Sequence, residues 1–554
     1  MKGILILTAL IIGSISETYA QSVWFKQYAG QWNEYQTDAA IDSENNVYIT
    51  GNFTANAMLS DGQTSANAGF FVAKYSPSGA LIWMTKGKGK TNTTVSPNGL
   101  DCSNGHLVLA VNFNDSLYLG DFEIASNESA FGHGEVAVMK LNTTDGTVSD
   151  HKLFSGSSDA SIGVSDIRVN ASGDIFVTGG FEVNADFGNG HQLSCWSGLY
   201  NELYVVKLNA SLEAQWTYKP SSERDTRGTN LELDNNGDVI VSGVFFKGCD
   251  FGAGNILAEG TQNNPIDRKN IFLMKLSKSD GTLGWMKALK GDLEANAPLA
   301  CDDSGNIFLG VNYINYMISE SDSTSATGLN MQLCIMKYNA TGNRQWIKHI
   351  GWTSPDAVQA LAVNQSGELI MGGTLGGNVT IDGVTDSYSS FGNITMVLGH
   401  LNNSTGTLIG IQKLNDSGSN FAGITNIAIS SVDDRFLTSG YFVGTINLGS
   451  IGSLVNSAPG YHDSFAIMNN GEPLGMDEME LVTLNFYPNP ATDLITIDLE
   501  YPLNSSEVNV YGLNGQSFLL PMNGSQLDIS ELQAGIYVIE VLDGTVLKRG
   551  KFVK

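Results

Sequence analysis

Few stretches of this chain have the residue types of a reaction centre, and each reads better as a turn. Gly89-Lys90-Thr91 ends like a phosphate-binding loop, but that loop needs a glycine where Met84 stands, and a helix after it. Asp234, Asn236 and Asp238 have the opening spacings of a calcium loop. Val239 stands where that loop needs glycine, and Phe245 where it needs the closing glutamate. Asp303-Ser304-Gly305 resembles a serine-protease fragment, yet it lies in a repeated hairpin turn and is read as turn chemistry. There is no G-x-S-x-G elbow and no H-E-x-x-H pair, and the seven histidines are scattered singly. No cysteine or histidine spacing suits zinc, so neither a metal nor a cofactor is expected.

The elements that would position any site are strands. The chain has 554 residues, with 63 glycines, 12 prolines and 9% aromatic residues, a composition of tight turns between strands. Charged residues are 15% and hydrophobic residues 42%, which excludes charge-driven disorder and allows a large core. A net charge of −27 argues against a nucleic-acid partner. Residues 1–20 have the form of a signal peptide: Lys2, an apolar run from Ile4 to Ile12, and Thr18-Tyr19-Ala20 before a cut at Gln21. No later run is long enough for a transmembrane segment, and a monomer is expected. The five cysteines are odd in number. Cys195 and Cys249 fall in loops of neighbouring repeats, where a bridge is open to them, and Cys334 is expected as a buried thiol.

A hairpin pattern recurs seven times, closing on Phe53, Phe113, Phe181, Phe245, Tyr313, Leu375 and Phe442, a repeat of about 65 residues. A second signature follows in each unit: an apolar strand ending in a basic residue, a turn, then a strand carrying tryptophan, as in IFLMKLSKSDGTLGW (271–285). The basic position runs Lys74, Lys140, Lys207, Lys275 and Lys337, then His400 and Met468. Val148 and Ile409 are read as standing in the tryptophan position of units two and six. The seventh unit lacks a tryptophan strand, and SVWFKQYAG (22–30), with Trp24, supplies one. The expected fold is all-β: a seven-bladed β-propeller over 21–469, closed by the N-terminal strand, then a linker over 470–483 and a small Ig-like β-sandwich over 484–554. The units resemble bacterial extracellular propeller repeats, and their tryptophan turns resemble the docking turns of quinoprotein dehydrogenases. That second resemblance implies that Trp24, Trp83, Trp216, Trp285 and Trp346 pack between blades.

The tail carries Tyr487-Pro488-Asn489-Pro490, Asp493, Gly535, Tyr537 and a basic end from Lys548 to Lys554. It closely resembles the type A C-terminal sorting domain of the type IX secretion system. The resemblance implies periplasmic passage, export to the outer surface or the medium, and the secretion machinery as partner.

Function is expected on the edge where the long connections between second and third strands and the links between units emerge. Residues there that break the repeat are Trp32 and Tyr35; Glu223, Arg224, Asp225 and Arg227; Trp352 and Asp356. Exposed aromatics beside carboxylates suit an extracellular glycan or protein, so a non-catalytic recognition module is the first reading. A secreted enzyme is the alternative, either a glycan- or peptide-cleaving hydrolase or a quinone-dependent dehydrogenase; Glu34, Glu223, Asp225 and Asp356 are the carboxylates available to a glycosidase. The opposite edge, with only tight turns, is expected to leave little room for a pocket.

Overall fold

A computed structural model describes residues 22–554 apart from 30–34, 60–64, 66, 91–94, 126–133, 158–159, 196–199, 253, 257–268, 320–321, 326–330, 351–355, 382–383, 388–393, 415–421, 449–451, 458–460, 472–485, 498–507, 513–516, 519, 521, 524 and 544–545. The signal-peptide reading therefore lies outside the described residues. Those residues are all-β and divide into two units, 1–474 and 475–554.

In the first unit a four-stranded antiparallel meander recurs. Its first copy is Tyr35–Ile41, Val47–Phe53, Gly69–Tyr75 and Leu81–Gly89. Five more follow, opening at Val95–Ser103, Ile162–Val169, Thr226–Leu233, Leu299–Cys301 and Ala357–Val363. The last consists of Ala422–Ile429, Phe436–Phe442 and Asp463–Asn469, with Ser22–Tyr28 pairing antiparallel against Asp463–Asn469. Second and third strands are buried almost throughout, as in Val47–Phe53 and Gly69–Tyr75. That burial on both faces is why they read as continuous apolar runs and not as alternating ones.

Strand register corrects the reading of two tryptophan positions. Each tryptophan sits opposite the strand-end residue: Lys74 opposite Trp83, Lys207 opposite Trp216, Lys275 opposite Trp285, Lys337 opposite Trp346 and Met468 opposite Trp24. In units two and six the residues in that place are Asp150, opposite Lys140, and Gly410, opposite His400. Val148 lies two residues before it and Ile409 one; the opposite position falls ten residues after the strand-end residue in these units and nine after Lys74, so the longer turn, and not the β-bulge that every unit shares, moves the count.

The long connections hold regular structure. Hairpins such as Ser116–Leu119 with Phe122–Ala125, and Asn378–Ile381 with Val384–Ser387, fold within them. Several pair with the preceding unit: Gly87 with Leu119, Ser221 with Asp250, Leu289 with Ser319, and Ala29 with Met58. No disulfide joins Cys195 to Cys249, and Cys249 and Cys334 are buried thiols. The second unit consists of two four-stranded antiparallel sheets around one core that includes Ile495, Val510, Ile539 and Phe552.

Candidate functional site

The first strand of six units carries a bulge, at Thr37, Asn98, Ser165, Thr229, Gln359 and Thr425. A bulge re-aims the side chain that follows. Asp38 and Asp166 follow theirs and reach across to the next unit. Asp38 accepts the N–H of Leu100 at 2.8 Å, and Asp166 that of Leu231 at 2.8 Å. Asp101 does the same for Val169 at 2.7 Å.

These strands and the tight turns after them surround a cavity of about 590 Å3 to which all seven repeats contribute. Its lining includes Asp42, Ser43, Asn104, Asn235, Asp303 and Ser431, which belong to the tight-turn edge. The expectation that this edge leaves little room is thus corrected: the turns are short, but the space lies between units and not within their loops.

One position in each first strand lines this cavity: Ala40, Asp101, Arg168, Glu232, Ala300, Ala362 and Ala428. Four alanines and three consecutive charged residues make this the place where the repeat is broken. Sequence alignment of the repeats held that signal, but the residues sit on a strand and not in a variable loop, so a search of loops passes over them. Arg168 bonds Asp166 at 2.6 Å and Glu232 at 2.7 Å through its guanidinium. Asp38 accepts a further hydrogen bond from Asn426 at 2.7 Å. Burial pushes the Asp38 and Asp101 carboxyls up to about 7 and Asp166 up to about 6, each partly offset by Arg168. Burial disfavours the Arg168 charge, but Asp166, Glu232 and Asp101 outweigh it and hold the guanidinium firmly protonated.

The residues expected on the other edge are placed unevenly. Trp32 and Trp352 lie outside the described residues, and Tyr35 opens the first strand of its unit. Glu223 and Arg227 are exposed. Arg224 lies over the Tyr200 ring at 5.4 Å, and Asp225 accepts the Asn201 N–H at 3.1 Å, so the 223–227 cluster is assembled around one link. Asp356 departs from the expected exposure: it is fully buried and accepts the Gly376 N–H at 3.0 Å, anchoring a loop. Among the described residues no group of three His, Cys, Asp or Glu side chains is arranged to hold a metal, and no helix is long and apolar enough to cross a membrane.

Residues 485–554 match the family described as the secretion system C-terminal sorting domain. The chain thus carries the sorting domain of type IX secretion, which engages that machinery and directs export to the cell surface or the medium. No curated protein matches the chain. Among solved structures, quinohemoprotein alcohol dehydrogenase from Comamonas testosteroni is similar at 9% identity, over 85% of this chain and 79% of that one, with a TM-score of 0.38. A protein of unknown function from Dyadobacter fermentans is similar at 10% identity, over 80% and 99%, with a TM-score of 0.36. BamB from Moraxella catarrhalis is similar at 10% identity, over 78% and 85%, with a TM-score of 0.29.

Proposed function

We propose that the protein is an exported, non-catalytic recognition module. In this reading its seven repeats close into a seven-bladed propeller through the N-terminal strand, and its loop edge binds an extracellular glycan or protein. The observation that carries the reading is the commitment of the charged groups on and beside the cavity. Asp38, Asp101 and Asp166 each hold a backbone N–H of the following unit, and Arg168 is divided between Asp166 and Glu232. Groups held this way serve as joints between units, whereas a general acid or base must be able to exchange its proton with a substrate. The assembled cluster at Tyr200, Glu223, Arg224 and Arg227 offers the aromatic and charged surface that recognition uses.

Glycan and protein arrays probed with the full exported chain test this. Substituting Trp32, Trp352 or Arg227 by alanine is expected to weaken binding by roughly tenfold or more, the loss of an interface anchor worth ~1.4–2 kcal/mol, with unchanged melting. Hydrolysis or dehydrogenation by the purified protein that disappears in a folded Asp101→Asn variant would overturn the non-catalytic reading.

A further inference from the structure

Unit five departs from the repeat in the sulfur it carries. The third residue of the third strand is aromatic in four units, as Phe71, Tyr204, Phe272 and Phe465, and in unit five it is Cys334. The second strand of this unit continues past Tyr313, where its counterparts end, to Ser319, and so brings in Met317. Cys334 Sγ lies 3.8 Å from Met317 Sδ. Met336 follows Cys334 by two residues on one strand and so faces the same side of the sheet. Its Sδ accepts the hydroxyls of Tyr338 at 3.4 Å and Ser319 at 3.7 Å. All three residues are buried and share one apolar cluster with Leu289, Leu293 and Leu309. Packing alone is met by carbon, as the aromatic residues of the other units show; a thiol and two thioethers add soft donor atoms. His349 stands directly opposite Cys334 on the next strand and is exposed. Opposite residues of an antiparallel pair have Cβ atoms about 5 Å apart. The Tyr313 hydroxyl donates to Gln332 Oε1 at 3.0 Å, so towards His349 Nδ1, at 3.2 Å, it is the acceptor. Neutral His349 then carries its proton on Nδ1 and presents its Nε2 lone pair to the Thr324 hydroxyl at 3.4 Å.

We infer that Cys334, Met317 and Met336 form a binding site for a soft monovalent metal ion, copper(I), with His349 as the ligand that passes the ion inward from the surface. Two metal–sulfur bonds of about 2.3 Å that span the 3.8 Å between Cys334 and Met317 meet at about 110°, which leaves room for a third ligand. The charge balances: the ion replaces the Cys334 thiol proton, which leaves to water, and thiolate plus monovalent ion make a neutral pair. An apolar cluster takes a neutral pair, whereas a divalent ion there would leave a net charge buried in it. Thioether donors select the same class of ion, because harder ions favour oxygen ligands. A search by cysteine and histidine spacing passes over this set, since two of its donors are methionines.

The test titrates the full exported chain, reduced and under argon, with copper(I) delivered from a coloured chelator. One tightly held equivalent is expected, with sulfur neighbours in X-ray absorption and a thiolate-to-metal band in the near ultraviolet. Met317→Leu nearly conserves volume; it is expected to weaken the complex by about tenfold or more with melting little changed, and Met336→Leu to do the same. Cys334→Ala is expected to abolish the tight equivalent. Cys102, Cys195, Cys249 and Cys301 remain in every variant, so an ion held by one of them persists when Cys334 is replaced. His349→Ala is expected to slow uptake by about tenfold or more at unchanged affinity, since a surface relay changes the rate and not the final ligand set. A tight equivalent that persists in Cys334→Ala would overturn the site. So would unchanged affinity in a folded Met317→Leu, Met336→Leu double variant, which decides the matter even where Cys334→Ala fails to fold. Zinc(II) held as tightly as copper(I) would also overturn it, and unchanged uptake by His349→Ala would overturn the entry route.

Discussion

At the scale of single residues, the cluster around Arg168 holds more acid than base. Asp38, Asp101, Asp166 and Glu232 face one guanidinium, Arg168, and burial raises three of these acids. An acid whose folded pKa lies above its unfolded value, near 3.9, binds its proton more tightly when folded. The stability linked to that proton is fully present below about pH 4 and is lost as pH rises through 6–7. Melting temperature is therefore expected to fall between pH 5 and pH 8. Asp101→Asn should flatten that fall by about 1–2 kcal/mol at its upper end, cavity water screening the larger shift. Thermal melts of both proteins across this range check it, and parallel pH profiles would show that Asp101 is ionised at no cost.

At the scale of elements, one joint explains why lysine and tryptophan repeat together. The Thr143 carbonyl accepts both Lys74 and Trp83 at 3.1 Å, and the Lys278 and Asn403 carbonyls accept the corresponding pairs, Lys207 with Trp216 and Lys337 with Trp346. A turn glycine packs on each indole; a Cβ on Gly281 would lie 2.6 Å from Trp216, and its φ is +71°. Unit two presents Asp150 in place of tryptophan, and the turn of the next unit then carries Leu212, at φ 59° and 3% exposed, in place of glycine. Without an indole on the turn a side chain can be buried there, and its burial offsets the ~1–2 kcal/mol of left-handed strain. Trp285→Ala is expected to cost ~3–5 kcal/mol. Leu212→Gly should cost less, about 1–2 kcal/mol, because relief of strain returns part of the loss. Denaturant melts decide between these magnitudes, and a stabilised Leu212→Gly would contradict the filling role. Unit six has Gly410 opposite His400. There the buried His400 lies 3.1 Å from Glu368 and edge-on to Phe436.

At the scale of the whole molecule, the N-terminal strand joins the last repeat. Ser22–Tyr28 pairs with Asp463–Asn469; Trp24 donates to the Pro77 carbonyl at 3.1 Å, and the Tyr28 and Tyr75 hydroxyls bond at 2.8 Å in the interior. Trp24, Ala39, Ile49, Leu437 and Met468 share one core cluster, so this strand links residues from both ends of the repeat array. Removing 22–28 is expected to expose the edge of Asp463–Asn469 and lower the melting temperature by 10 °C or more, a loss of several kcal/mol in a domain of this size. A truncated protein that melts like the intact one would refute the clasp. The tail is a separate compact unit.

The sequence alone determined the all-β class, the repeat, the pairing partner of the N-terminal strand and the sorting tail. Most rest on local pattern, apolar runs and turn residues at fixed offsets; the partner of the N-terminal strand was legible because the repeat leaves the last unit one strand short. Tertiary structure decided the rest. The tryptophan register depended on turn length, which changes the count by one residue without changing the pattern. Asp356 looked like a solvent-facing loop carboxylate until the Gly376 N–H buried it. Arg168 and its four carboxylates come from first strands of four repeats about 65 residues apart, and only stacking of the units brings them together. Spacing along the chain carries no record of which faces meet, because packing between units is set by side chains that sequence order keeps apart.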